Sequence, residues 1–125
     1  MAKRKSGNTI ETLVNSVVKG IQEVKGSDIL CLDLREVENA AADFFIICNG
    51  TSSTQVEAIA RSVERETEKE LGESPRYVEG LRNAKWVLMD YFNVLVHVFD
   101  AESRAYYQLE DLWSDGRMER IEERA

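Results

Sequence analysis

The chain has 125 residues, which suits one domain with a single sizeable core. A composition that is 43% hydrophobic and 31% charged, with one proline, excludes a disordered or collagen-like chain. The net charge of -7 argues against nonspecific binding to nucleic acid, which needs clustered Lys and Arg, and favours a basic partner instead.

The only basic cluster is Lys3, Arg4, Lys5, read as part of a solvated, flexible tail over residues 1–8. From Ile10 onward, Leu13, Val14, Val17, Val18, Ile21 and Val24 recur at helical steps, predicting a helix from about Asn8 to Lys25 with Gly26 as its stop. Asp28 to Leu34 reads as a strand. Asp43 to Cys48 is almost wholly apolar, as expected of a central strand buried on both faces.

NGTSSTQ, residues Asn49 to Gln55, follows that strand. A Gly with hydroxyl residues at the start of a helix suits an anion, because unpaired N–H groups and the helix dipole converge there. It lacks the Lys of a Walker loop and the three glycines of a dinucleotide fingerprint. The favoured reading is a turn and cap, with Ser52 or Ser53 as N-cap and Glu57 near a capping-box position. The alternative is a nucleotide-binding enzyme or sensor using Gly50, Thr51 and Ser52. A nucleotidyl transferase would also need two carboxylates about two residues apart on a neighbouring strand to hold magnesium, and none stands there.

Val56, Ile59, Ala60, Val63, Thr67 and Leu71 mark a second helix with its acids toward solvent, ended by Gly72. Arg76 to Glu79 is a short strand, and Lys85 to Met89 and Val94 to Phe99 are two more, joined at hairpin length. Ala101 to Trp113 reads as short helical turns packed by aromatics. Beyond Gly116 a loose helix or disorder is expected, so that residues 9–117 form the domain and 118–125 a charged tail.

Cys31 and Cys48 lie in apolar runs without metal-ligand spacing, as buried free thiols of a reducing compartment would. No stretch reads as a signal peptide or membrane span, which points to the cytoplasm. The single histidine, His97, lies mid-strand. A triad of Ser103, His97 and Asp90 lacks a nucleophile elbow, so a structural His is the stronger reading. In Trp86 to Phe92, alternation puts Trp86, Leu88 and Asp90 on one face and Val87, Met89 and Tyr91 on the other. One face can pack on helices; the other is either core or an aromatic docking patch.

The segments Ala42 to Ser52, Val78-Glu79-Gly80, Trp86-Val87-Leu88-Met89-Asp90-Tyr91, Val96 to Phe99 and Arg104 to Trp113 resemble, in order, those of the ribosomal silencing factor (RsfS, Iojap-like) family. The resemblance covers roughly Ile10 to Trp113. It implies an α/β fold, a mixed sheet of about five strands with helices packed on it, like that of nucleotidyltransferases without the catalytic carboxylates. It implies no enzyme activity, catalytic residue, cofactor or metal.

The implied role is to bind the large ribosomal subunit through its protein L-fourteen, block subunit joining and repress translation when nutrients are scarce. Neither a membrane nor sequence-specific nucleic acid is an implied partner. The partner-binding residues carried over are Trp86, Leu88, Asp90 and Tyr91, with Glu79 and His97 beside them. Trp86 and Tyr91 would be apolar anchors, although an ideal strand sets them on opposite faces. The same patch also suits a homodimer competing for one surface. Phe92-Asn93 stands where the family carries Gly-Asp.

Overall fold

The computed structural model describes residues 7–123, so the basic cluster Lys3 to Lys5 lies outside the described residues. The elements are α1 (Ile10–Glu23), β1 (Ser27–Asp33), β2 (Phe44–Gly50), α2 (Ser53–Leu71), β3 (Tyr77–Glu79), β4 (Trp86–Asp90), β5 (Val94–Asp100), α3 (Ala101–Tyr107), α4 (Leu109–Leu112) and β6 (Arg117–Ile121). The strands form a six-stranded sheet in the order β3-β4-β5-β2-β1-β6. Only β2 and β5 run parallel; every other neighbouring pair is antiparallel.

The apolar run Phe44 to Cys48 occupies a central strand, and all of β2 is buried. Alternate strand residues divide the core in two. On one face Ile46, Val87, Met89, Val96 and Val98 pack under Leu13, Val17 and Ile21 of α1 and Val56, Ile59 and Val63 of α2. On the other, Leu30, Leu32, Phe45, Ile47 and Phe99 pack with Leu109, Trp113 and the loop residues Val37, Ala40 and Ala42.

Local chemistry accounts for the element ends. Thr9 and Thr12 form a reciprocal capping box on α1, whose C-terminal turn closes at Val24. It is Lys25, at φ 60°, and not the expected Gly26, that takes the left-handed conformation after it. Asn8, expected in a flexible tail, is tied to the end of α2 through the Leu71 carbonyl at 3.0 Å and Glu73 at 2.8 Å. Gly72 caps α2 in the left-handed region, as the sequence predicts.

Two expectations are corrected. The segment after Gly116 is an edge strand, β6, paired with β1 from Asp33↔Arg117 to Ile29↔Ile121. Its side chains are mostly exposed, which hid the strand from a hydrophobic-pattern reading. Nor do all the acids of α2 face solvent: Glu66 is buried against α1, where Lys19 reaches it at 3.4 Å and Glu70 at 2.8 Å. Among the described residues no helix is long and apolar enough to cross a membrane.

Candidate functional site

The loop Asn49 to Gln55 turns and caps. Ser52 is the N-cap, its Oγ accepting from the Gln55 backbone N–H at 3.1 Å. The Gln55 side chain takes up both Thr51 donors of the loop. Its Oε1 accepts from the Thr51 N–H at 2.7 Å and from the Thr51 hydroxyl at 3.0 Å, while its Nε2 donates to the carbonyls of Val24 and Lys25. Glu57 takes no part in a capping box; it pairs with Arg61 one turn on, at 3.0 Å.

The paper triad does not assemble. His97 Nδ1 accepts from Trp86 Nε1–H at 3.1 Å, and the Asp90 carboxylate accepts from Arg76 and from the Phe92 N–H. Ser103 lies in the first turn of α3, where its backbone N–H donates to the N-cap Asp100 Oδ1 at 2.7 Å. Both thiols are buried, and burial pushes Cys31 up to about 11 and Cys48 up to about 12, far from thiolate reactivity at neutral pH. Among the described residues no group of three or more His, Cys, Asp or Glu could hold a metal ion.

What does assemble is a surface on the sheet face turned away from α1 and α2. Strand β4 keeps strict alternation: Val87 and Met89 are buried toward the helices, whereas Trp86, Leu88 and Asp90 are partly exposed on the other face. Register carries the surface across three strands. Glu79, Leu88 and His97 form one row, and Tyr77, Asp90 and Leu95 form the next. Trp86 is in register with Phe99 and stacks on it at 4.8 Å, with Tyr107 of α3 at 4.9 Å on the same indole.

Glu79, Trp86 and Leu88 line a shallow hollow of about 360 Å³. Gly80, at φ 95°, lets the chain turn at its rim, because a Cβ there would lie 2.1 Å from the Trp86 carbonyl oxygen. His97 holds the floor. Since its Nδ1 accepts from Trp86, a neutral ring carries its proton on Nε2, which is buried without a hydrogen-bond partner among the described residues. Burial lowers its pKa from the ordinary value to about 4.

Five of the six residues expected at a docking site therefore come together: Glu79, Trp86, Leu88 and Asp90 at the surface, with His97 beneath. Tyr91 does not join them. It is 3% exposed, packed in the core under the helices, with its hydroxyl 2.9 Å from Thr67 of α2. No bulge interrupts β4, so the pleat sends Tyr91 to the face opposite Trp86. Burial raises its pKa, as suits a core phenol.

Three residues at the surface escaped the sequence reading: Arg76, Tyr77 and Tyr107. Tyr77 is half exposed, and its hydroxyl donates to Glu79 at 2.7 Å. Its two-residue spacing from Glu79 was the available signal, whereas Tyr107 meets Trp86 only through the tertiary fold.

The family model described as "Ribosomal silencing factor during starvation" matches residues 7–125. The chain belongs to the ribosomal silencing factor family. Proteins named ribosomal silencing factor RsfS from Halalkalibacterium halodurans and Bacillus subtilis are each 38% identical to it over 105 residues. The matches cover 84% of this chain and 88% and 87% of those relatives. A crystal structure of a Chromobacterium violaceum protein superposes with a TM-score of 0.80 at 33% identity, covering 86% of this chain and 88% of that one. Membership in the RsfS family agrees with the α/β architecture of mixed sheet and packed helices.

Proposed function

We propose that this RsfS-family chain is a noncatalytic ribosomal silencing factor of the cytoplasm, which binds the large ribosomal subunit through protein L-fourteen and sterically blocks subunit joining under nutrient limitation. The observation that carries the reading is the surface on β3, β4 and β5. It gathers a partly exposed Trp, a Leu and two carboxylates on one side of a chain whose net charge is -7. Trp86 is the apolar anchor, Leu88 widens it, and Glu79 and Asp90 answer Lys or Arg on a basic partner. The acidic charge steers the chain to that protein and away from the phosphates of the surrounding RNA.

His97 acts from below, orienting the indole through the Nε1–H to Nδ1 bond. Tyr91 has no place in the contact; it holds β4 against α2. The competing nucleotide reading is weakened because Gln55 already accepts from the Thr51 N–H and hydroxyl.

The test is sedimentation of purified subunits with and without the full chain, followed by a blot of the gradient. Co-sedimentation with large subunits and fewer joined ribosomes supports the reading. Absence of the chain from every ribosomal particle overturns it.

A further inference from the structure

Asp90 is already occupied. Its Oδ2 accepts from Arg76 Nη2 at 3.1 Å, and its Oδ1 accepts from the Phe92 backbone N–H at 2.7 Å. The Arg76 guanidinium carbon stands 3.9 Å from the centre of the Phe92 ring, so one cation is held by a carboxylate and an aromatic face together. The backbone sets this up: the Arg76 N–H donates to the Asp90 carbonyl at 2.9 Å, just before β3 begins.

Phe92 adopts φ 74°, a left-handed conformation disfavoured for a bulky side chain. Such a conformation persists where surrounding contacts over-determine it, and here the ring lies against Arg76. Glu79, the other carboxylate of the surface, accepts from the neutral Tyr77 hydroxyl instead. The two acids are thus held differently, one by a cation and one by a phenol.

We propose that Arg76 is a specificity-determining residue of this surface, occupying on Asp90 the position that a partner's Lys or Arg takes on docking. The proposal rests on the reading of the surface as the ribosome-docking site. Docking exchanges one cation for another. The exchange costs little because water reaches the pair from the Arg76 side, whose side chain is 52% exposed against 15% for Asp90, and because the incoming cation restores the charge on Asp90. A partner offering no cation either leaves the pair in place or loses its roughly fivefold contribution without replacing it, so the pair biases the surface toward basic partners.

The experiment titrates purified large subunits with labelled full-length chain as wild type, Arg76→Gln, Arg76→Lys, Asp90→Asn and the Arg76→Gln/Asp90→Asn double variant. Thermal melts confirm that each is folded. Arg76→Gln is expected to tighten binding about fivefold, the scale of an exposed ion pair. Arg76→Lys should stay near wild type, and Arg76→Gln should have no effect once Asp90 is Asn. Unchanged or weaker binding by Arg76→Gln overturns the proposal, as does tightening that survives in the double variant, since that would reflect overall charge alone. Loss of binding by the wild type itself marks failure of the docking reading, and the proposal falls with it.

Discussion

The two faces of the sheet are built from alternate residues of the same strands, yet they are finished differently. Toward α1 and α2, Val87, Met89, Val96 and Val98 disappear completely beneath two long helices. Toward the other side only part of the sheet is covered, by the loop after β1 and the short helices α3 and α4. Over β3 and β4 it stays open, with Trp86, Leu88 and Asp90 partly exposed. The closed face supplies stability through apolar burial; the open one leaves Trp86 and Leu88 partly exposed, as the proposed docking role requires. Tyr91 and Trp86, five residues apart in one motif, fall on opposite sides of this division.

The division can be broken most forcefully from the closed side. Ile59 is fully buried between α2 and the sheet, so Ile59→Ala should remove about 3 kcal/mol of stability, measured by denaturant unfolding, while folded protein still binds large subunits normally. Loss of binding by the folded variant would show that the faces are not independent.

Acid attacks the floor of the open side. With the His97 pKa at about 4 in the folded chain and near 6.5 when unfolded, only the unfolded chain takes up the proton between these values. Stability should therefore fall as pH drops from about 6.5 to about 4, by on the order of 3 kcal/mol in total. Unfolding curves across this range should lose that slope in His97→Leu. An unchanged slope would locate the sensitivity elsewhere.

Trp86→Ala should weaken binding to large subunits by about 2 kcal/mol or more in a chain that still folds. The smallest effect sharpens the division most: Tyr91→Phe should cost about 1 kcal/mol of stability through the lost Thr67 hydrogen bond, with binding unchanged. Weaker binding by folded Tyr91→Phe would restore Tyr91 to the docking surface.

Much of the fold was legible in the chain because period and punctuation are local. The stripe from Ile10 to Val24, the apolar run at Phe44 to Cys48 and the Gly72 cap each declare their element without reference to anything distant. The strand at Arg117 to Ile121 was not legible, because an exposed edge shows no buried alternation. At the surface, alternation grouped Trp86, Leu88 and Asp90, while the family motif drew in Tyr91, which the pleat then excluded.

By itself, then, the sequence determined the order and type of the main elements, the acidic charge and the facing of each β4 side chain, since these follow from composition and from periods of two and 3.6. Only the tertiary structure decided which strand lies beside which, and with it the row of Glu79, Leu88 and His97 and the meeting of Trp86 with Tyr107. It also brought Arg76 onto Asp90 and closed α1 on α2 so tightly that a Cβ on Gly20 would stand 2.7 Å from the Val63 Cα. The physical reason is range: helix and strand periods are set by neighbours along the chain, whereas these contacts join residues far apart in it and exist only once packing has fixed register and distance.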